Sequence, residues 1–324
     1  MRRPSICIVT PALEDANNGN WQTASRWSQM LGEDYRIDLV GRWNGDPADA
    51  MIALHARRSA DSIARWKAAA GKAPDRPLAV VLTGTDLYRD IASDPSAERS
   101  LELADRLVVL HERAIDDVPA LYRHKAIACF QSTPARAARP KSQRGLCALM
   151  VGHLRAEKAP QTYFDAARQL AARADILLDH IGAALDPVLG AQARSLMQDC
   201  PSYRWLGALP HEEVLRRIGE SHVLVHSSVM EGGAHVVMEA ICSGTPVLAS
   251  RIPGNVGMLG ADYDGYFEPG DAQGLARLIA RCRDDSTILF GLAAQCAARA
   301  PLFDPARERA TLLALMAEML ETNP

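Results

Sequence analysis

The chain has 324 residues, which corresponds to two domains of about 150 residues each, and 48% of its residues are hydrophobic. Its 36 basic and 39 acidic residues leave a formal net charge of -3, so it lacks the basic excess by which nucleic-acid-binding and membrane-docking proteins attract their partners. No apolar run approaches the roughly 20 residues that span a bilayer, and the first residues do not resemble a signal peptide. We expect a globular, cytoplasmic protein that binds neither nucleic acid nor membrane, and the oligomeric state stays open.

Cysteine and histidine spacing gives no sign of a metal site. The seven cysteines form no CxxC pair, and their odd number argues against a closed disulfide framework. His222 and His226 flank the apolar residues 223–225, which indicates a strand end and not a zinc site. No DxD-like carboxylate pair stands in a suitable loop. We therefore predict no metal and no other cofactor.

Short apolar runs alternate with helical stretches, a pattern typical of βαβ units with a parallel sheet. The first half of the chain predicts strands at Ile6–Val9, Ile37–Val40, Met51–Leu54, Leu78–Leu82, Arg106–Leu110 and Ala126–Phe130. They suffice for one doubly wound, Rossmann-like α/β domain over residues 1–135. The helix predicted over Pro305–Leu320 is a candidate to complete this domain.

The second half repeats the pattern, with predicted strands at Cys147–Val151, Ile176–Ile181, Tyr203–Leu206, His222–His226, Thr245–Ala249 and Gly265–Phe267. This predicts a second α/β domain over residues 145–304. The polar stretch Ser132–Gly145, which proline interrupts twice, is predicted to be the linker. Ligands of doubly wound sheets bind at the carboxyl ends of the strands, so we expect the chemistry in a cleft that both domains share.

The most informative segment, Ser227–Ser250, follows a strand, opens a helix and ends in another strand. Gly232 and Gly233 at the helix entry leave room for a ligand to approach the backbone. The free N–H groups of Gly233, Ala234 and His235 are expected to point where an anion would sit. The segment therefore predicts a seat for a diphosphate.

Two glutamates in this segment suit the two ends of an extended ligand. Eight residues of continuous helix would separate Glu231 from Glu239 by about 12 Å. A carboxylate accepts two hydrogen bonds side by side, which suits a sugar hydroxyl pair at Glu231 and a ribose diol at Glu239. The alternative is a helix with an acidic N-terminus followed by a solvated glutamate.

The segment resembles the donor-binding signature of the large retaining family of GT-B glycosyltransferases that includes relatives of sucrose and glycogen synthase. The E-x7-E motif of that family stands here at Glu231 and Glu239. Tyr203–Pro210, which includes Leu209, resembles the loop whose backbone holds the nucleotide base. Met150–Lys158 resembles the phosphate-clamping segment V-G-R-L-x-x-x-K. The resemblance covers the second domain, and it implies a GT-B fold and a UDP-sugar donor.

The resemblance assigns basic residues of this chain to the donor phosphates. Lys158 falls on the family lysine, whose ammonium would neutralise the diphosphate as the leaving group departs, so Lys158 and Glu231 are predicted to be catalytic. His153 occupies the position that is usually arginine, and Arg155, two residues on, is therefore the candidate for the second cation. The alternative for Lys158 is that it is a solvent-exposed lysine on the next helix.

The first domain resembles a narrower group. Residues 17–27 follow the first strand and open a helix, where GT-B enzymes carry a glycine loop against the transferred group; here Gly19 keeps the turn and Asn20 is a catalytic candidate. Together with residues 54–63, 82–90 and 129–132, this segment is similar to the bacterial selenosugar synthases of selenoneine biosynthesis. The resemblance implies transfer of N-acetylglucosamine or glucose from a UDP-sugar to selenium delivered as selenophosphate, with release of UDP and phosphate and formation of a C–Se bond.

The acceptor site is predicted with less detail. Thr83 precedes Gly84, at a position where many relatives have histidine. The loss of this histidine is compatible with a selenium acceptor, because a selenium anion needs orientation more than deprotonation. His55, at the end of the third strand, either faces the cleft or packs inside the domain. The candidates for binding selenophosphate, whose alternative is ordinary turn chemistry, are Asn20, Thr23, Thr83, Thr85 and Arg89.

Three other functions stay open. The first is a glycosyltransferase with the same donor and an oxygen acceptor, such as a lipid or a small alcohol. The second is a UDP-sugar epimerase, and the third is a nucleotide-sugar-binding module without turnover. The preferred sugar and the anomeric outcome of transfer are not predicted.

Overall fold

The structure, a computed structural model, describes residues 2–13, 19–69 and 76–321. It divides into two compact units: Met1–Ser132 together with Pro305–Pro324 form the first, and Thr133–Asp304 form the second. Each unit contains one six-stranded parallel sheet flanked by helices, so the predicted α/β class is confirmed. All twelve predicted strands are present, with ends that differ from the predicted ones by at most two residues.

The sheet of the first unit has the strand order β2-β1-β3-β4-β5-β6. Its strands are β1 Ser5–Val9, β2 Arg36–Val40, β3 Ala50–Leu54, β4 Leu78–Leu82, β5 Arg106–Val109 and β6 Ala126–Ala128. Ile8 of β1 pairs with Leu39 of β2 on one side and Ile52 of β3 on the other. Strands β1, β3 and β4 are buried along their whole length, which is why they are continuous apolar runs.

Helices cover both faces of this sheet. They are α1 Gly19–Leu31, α2 Ala60–Ala68, α3 Pro95–Leu103, α4 Ala114–Asp117 and the last helix of the chain, α12 Pro305–Glu321, with a π-helical turn at Asp86–Asp90 and a 3-10 turn at Ala120–Lys125. Helices α1 and α12 share one apolar cluster with β1 and β3, in which Trp27 and Met316 are fully buried. Helices α2 and α3 pack on the opposite face through Ile63 and Leu101.

A buried carboxylate fastens α12 to the first unit. Glu308 is 1% exposed, and it accepts hydrogen bonds from Trp27 Nε1 at 2.6 Å and from Arg26 Nε at 2.8 Å. The hydroxyl of Ser132 donates to the same carboxylate. The charge of Glu308 is thus paired with a guanidinium and its oxygens are fully bonded, which is the condition for burying an ion without a large penalty.

The sheet of the second unit has the strand order β12-β11-β10-β7-β8-β9. Its strands are β7 Leu146–Val151, β8 Ile176–Ile181, β9 Tyr203–Trp205, β10 Val223–His226, β11 Val247–Ser250 and β12 Tyr266–Phe267. When the six strands of this unit are numbered in chain order, they follow the strand order of the Rossmann fold. The direction in which successive strands are added to the sheet reverses between β7 and β10. In the first unit the reversal lies between β1 and β3. Loops beside such a reversal are where doubly wound sheets bind ligands.

The helices of the second unit are α5 Pro160–Gln169, α6 Pro187–Asp199, α7 His211–Glu220, α8 His235–Cys242, α9 Pro253–Leu259, α10 Ala272–Asp284 and α11 Ser286–Arg299, with 3-10 turns at Ala156–Lys158 and Ala300–Phe303. After its first residue, α8 is buried at every position. Within the described ranges, no helix combines the length and the apolar character that crossing a bilayer requires.

From Thr133 onward, the stretch predicted to be the linker lies on the second unit. The N–H of Arg136 donates to the carbonyl of Cys242 at 2.8 Å. The ammonium of Lys141 contacts the carbonyl groups of Gly219 and Ser221 at the end of α7, and burial lowers the pKa of Lys141 to about 8. The stretch is therefore packed against α7 and α8 by specific hydrogen bonds.

Candidate active site

Two loops of the second unit meet beside the reversal of strand order. The loop after β7 ends in the 3-10 turn Ala156–Lys158, and the loop after β10 carries Glu231. Lys158 Nζ lies 2.5 Å from Glu231 Oε1, and each side chain is 16% exposed. The structure therefore brings together the cation and the carboxylate that the sequence assigned to the donor.

The carboxylate of Glu231 has a second basic neighbour, since Nε2 of the buried His226 lies 3.6 Å from Glu231 Oε1. Burial raises the pKa of Glu231, but the charges and hydrogen bonds of Lys158 and His226 outweigh burial and hold the pKa well below its usual range. Glu231 is therefore an ionised hydrogen-bond acceptor at neutral pH.

The backbone beneath Glu231 is fixed by α9, which sequence reasoning missed. A Cβ at Gly254 would lie 2.1 Å from the carbonyl oxygen of Glu231, so only glycine allows this approach. Ser250 Oγ donates to the carbonyl of Ser228 at 2.5 Å, and Asn255 Nδ2 donates to the carbonyl of Ser250 at 2.9 Å. The only sequence signal was Pro253 followed by Gly254, which indicates a helix start and says nothing of Glu231.

The residues predicted to bind a diphosphate form the loop that opens α8. Gly232 is buried and Gly233 is half-buried, and α8 begins at His235. One part of the prediction is corrected: the N–H of Ala234 donates to Met258 Sδ at 3.2 Å instead of pointing into an open loop. Thioether sulfur is a weak acceptor, so this contact is easily exchanged for a stronger one.

Three basic residues lie on the loop after β7. The stem of Lys158 passes over Gly152, where a Cβ would be 3.4 Å from two of its carbons. His153 Nδ1 accepts from the N–H of Ala183 at 3.0 Å. Burial lowers the pKa of His153, and the charges of Arg155 and Lys158 lower it further, so His153 is not a second cation at neutral pH. Arg155 is exposed and has no ion pair with any described residue.

The second glutamate of the motif has an unexpected partner. Glu239 on α8 is 8% exposed, and its Oε1 lies 2.7 Å from Nε2 of His211, the first residue of α7. This bond raises the pKa of His211, against the opposing effect of burial. Leu209, from the predicted base-binding loop, is half-buried two residues before His211. No motif in the sequence connects His211 with Glu239, which lies 28 positions further on.

In the first unit, Gly19 and the half-buried Asn20 open α1, next to the reversal of strand order, whereas Asn17 and Asn18 lie outside the described residues. Thr23 differs from its predicted role, because it is 1% exposed. Its hydroxyl donates to the carbonyl of Gly19 at 2.8 Å and accepts from Gln131. Thr23 therefore fastens the start of α1 and does not present its hydroxyl to a ligand.

The carboxyl ends of β3 and β4 are joined by buried polar groups. Asp86 accepts hydrogen bonds from the N–H groups of Ala56, Thr83 and Gly84, each at 2.9 Å. The backbone N–H of Thr83 is thus already bonded, and its side chain is half-buried. Asp86 is fully buried, so it serves as a structural anchor of these two strand ends.

His55 packs inside the first unit. It is 1% exposed, adopts a left-handed backbone with φ of +72°, and its Nε2 lies 3.0 Å from Thr85 Oγ1. Burial lowers the pKa of His55, although Asp86 and Asp90 act in the opposite direction. A neutral imidazole thus holds the half-buried hydroxyl of Thr85 in place.

Arg89 also lies at this edge of the sheet, on the π-helical turn. Its Nε donates to Asp90 Oδ1 at 3.0 Å, and Arg57 Nε donates to the other oxygen at 2.7 Å. Burial raises the pKa of Asp90, but both arginines outweigh it and hold the pKa below its usual range. The side chain of Arg89 remains 47% exposed, so it can contact an anion while it is bonded to Asp90.

Comparison with known proteins identifies the second unit. Residues 132–301 match the family described as glycosyl transferases group 1. A relative from Xenopus tropicalis, glycosyltransferase 1 domain-containing protein 1, is 31% identical over 81 residues, which are 25% of this chain. The matched part is only 24% of that relative's length.

Solved structures are similar over nearly the whole chain. A sucrose-phosphate synthase from Thermosynechococcus elongatus has a TM-score of 0.79 and 16% identity, and the match covers 99% of this chain and 100% of the other. The Anabaena protein HepE, in complex with UDP and glucose, has a TM-score of 0.75 and 14% identity, with 97% and 100% covered. At these identities the likeness concerns the fold, and it confirms the predicted GT-B class.

Proposed function

The chain belongs to the glycosyl transferases group 1 family, and on that premise we propose that it transfers a sugar from a UDP-sugar held by the second unit. The observation that carries the proposal is the contact of Lys158 with Glu231 at 2.5 Å beside the reversal of strand order. The similar Anabaena structure was solved with UDP and glucose. We place the reaction in the cytoplasm as part of the proposal.

Each donor group has a partner of suitable chemistry. The sugar hydroxyls bind Glu231, the ribose diol binds Glu239, and the base lies against the backbone near Leu209. Lys158 and Arg155 face the diphosphate, which rests on the loop through Gly232, Gly233 and His235. Gly19 and Asn20 of the first unit keep their predicted roles as the glycine turn and a catalytic candidate. When the bond between the sugar and the diphosphate breaks, negative charge grows on UDP, and fixed cations stabilise it most at that moment.

The acceptor in this proposal is selenophosphate. Its selenium attacks the anomeric carbon, the bond from that carbon to the UDP oxygen breaks, and water then cleaves the Se–P bond to release phosphate. The supporting observation is that His55 is buried and bonded to Thr85, so it is not a solvent-facing base. A selenium anion is already a strong nucleophile and needs no such base.

We assign the binding of selenophosphate to polar groups that lie, like His55, at the carboxyl edge of the sheet of the first unit. The half-exposed guanidinium of Arg89 and the half-buried side chains of Thr83, Thr85 and Asn20 are suited to its phosphate oxygens. Thr23 is left out because its hydroxyl is buried and bonded within the unit.

The test is release of UDP from UDP-N-acetylglucosamine and from UDP-glucose, each with and without selenophosphate. We expect release that depends on selenophosphate and is lost in the Glu231→Ala variant. Release with a sugar alcohol and not with selenophosphate would leave the UDP-sugar donor in place and favour the oxygen-acceptor glycosyltransferase. No UDP binding and no release under any condition would contradict the whole proposal.

A further inference from the structure

His211 and Glu239 form a hydrogen bond that the roles above do not use. Nε2 of His211 lies 2.7 Å from Glu239 Oε1, the Glu239 side chain is 11% exposed and the His211 side chain is 52% exposed. The imidazole therefore contacts one oxygen of a carboxylate that is almost completely buried.

We propose that His211 is a positioning residue for the nucleotide, which holds the Glu239 carboxylate so that its remaining acceptor sites face the ribose diol. This inference rests on the proposed function, because it takes Glu239 as the ribose ligand. It makes His211 a determinant of selectivity for nucleotides that carry both ribose hydroxyls.

The chemistry of the carboxylate supports this role. An ionised glutamate has two oxygens with about four acceptor sites, so a single bond from His211 leaves enough sites for two hydroxyls. A glutamate side chain has several rotatable bonds, and holding one oxygen reduces the entropy that ligand binding would otherwise have to remove. A buried carboxylate also needs a donor to offset its lost hydration, and His211 supplies one.

The position of His211 on α7 also supports its role as a positioning residue. It is the first residue of α7, follows Pro210, and no side chain caps the helix there. The bond to Glu239 raises the pKa of His211, which favours its cationic form. Yet a cation at a helix N-terminus is opposed by the helix dipole. The charge of His211 therefore does not stabilise the start of α7, whereas it is compatible with the bond to Glu239.

The experiment compares UDP with 2′,3′-dideoxy-UDP by titration calorimetry. The wild-type protein should bind UDP more tightly, because only UDP carries the diol. His211→Ala should weaken UDP binding about tenfold, the loss expected for one charge-assisted hydrogen bond. The same variant should change dideoxy-UDP binding less than about twofold. His211→Gln, whose amide nitrogen can reach the same oxygen, should restore most of the UDP affinity.

Glu239→Gln should abolish the preference for UDP, and adding His211→Ala to it should cost little more, because the two residues act as one unit. His124→Ala, at an exposed histidine of the first unit, is the matched control and should bind both nucleotides like the wild type. Equal weakening of both nucleotides in His211→Ala, tighter UDP binding, or a wild type without preference would overturn the inference. A wild type that binds neither nucleotide would instead contradict the proposed function.

Discussion

Lys158 Nζ and Glu231 Oε1 lie 2.5 Å apart, and this contact joins the loops that follow β7 and β10. The two residues are 73 positions apart in the chain, and they meet because their strands are neighbours in the sheet. The cation that we propose for the diphosphate and the carboxylate that we propose for the sugar are thus fixed against each other at one edge of the second unit. The first prediction concerns the stability that this pair provides.

Replacing Lys158 by Met removes the nearest cation from an almost enclosed carboxylate. We expect a loss of about 2 kcal/mol in unfolding free energy at pH 7, between the values for exposed and buried pairs. The pKa of Glu231 is lower in the folded protein than its ordinary value of 4.5, which applies to the unfolded chain. The pair therefore contributes its full stability above pH 4.5, and this contribution is lost as the pH falls from 4.5 towards the pKa of the folded state. Urea unfolding should therefore show a smaller difference between variant and wild type at pH 3, and a constant difference would contradict the prediction.

The second prediction concerns the phosphate cations. Lys158→Ala and Arg155→Ala should each weaken UDP binding about tenfold or more, since each removes a charge-assisted hydrogen bond. His153→Ala should change UDP affinity little, because burial and neighbouring charges lower the pKa of His153 and keep it neutral. Calorimetry with UDP measures all three variants. A strong effect of His153→Ala with none of Arg155→Ala would assign the second contact to the imidazole.

The third prediction concerns the backbone under Glu231. Gly254→Ala should lower the rate of UDP release at least tenfold while the protein stays folded, because the new Cβ displaces the carbonyl of Glu231 and misplaces its carboxylate. Gly291→Ala on α11 is the matched control: a Cβ at this position would meet no heavy atom within 4 Å apart from those of its chain neighbours and of the nearby helix backbone. The variant should be more stable than the wild type by about 0.5–1 kcal/mol. Equal rates in the two variants would show that Gly254 does not hold the site.

The sequence predicted the strands well because buried parallel strands are continuous apolar runs with polar ends, as in β1 and β3. It also singled out Lys158 and Glu231, which the structure shows in contact, because both stand in segments that resemble family motifs after strands. It missed Gly254, because no local pattern shows that a distant carbonyl will approach a glycine. His211 was missed for the same reason: its contact with Glu239 depends on how α7 and α8 pack. Thr23 was misjudged because the sequence does not tell a buried face of α1 from a loop-facing one.

The fourth prediction concerns α12. Glu308→Ala removes the carboxylate that accepts hydrogen bonds from Arg26 Nε and Trp27 Nε1 in the core of the first unit. Breaking a buried pair of this kind costs about 3–5 kcal/mol, and the loss should appear as a lower midpoint of urea unfolding. Glu318→Ala, on the half-exposed face of the same helix, should cost less than about 1 kcal/mol. Similar losses in both variants would contradict a special role of Glu308.

The fifth prediction concerns the acceptor. His55→Asn should reduce turnover with selenophosphate less than about fivefold, because asparagine tolerates the left-handed backbone of this position and no base is needed. Arg89→Ala and Asn20→Ala should raise the selenophosphate concentration required for half-maximal rate. An oxygen-acceptor enzyme with His55 as its base would instead lose about 100-fold or more in the His55 variant. Steady-state UDP release measures the three variants.

The proposed transfer to selenium is tested most directly by the mass spectrum of the product formed from UDP-N-acetylglucosamine and selenophosphate. We expect a species with the mass of the sugar joined to selenium and with the isotope pattern of one selenium atom. It should form together with UDP and phosphate, and it should be absent when Glu231→Ala replaces the wild type. A product that contains the sugar but no selenium, or release of UDP without any selenium-containing species, would contradict it.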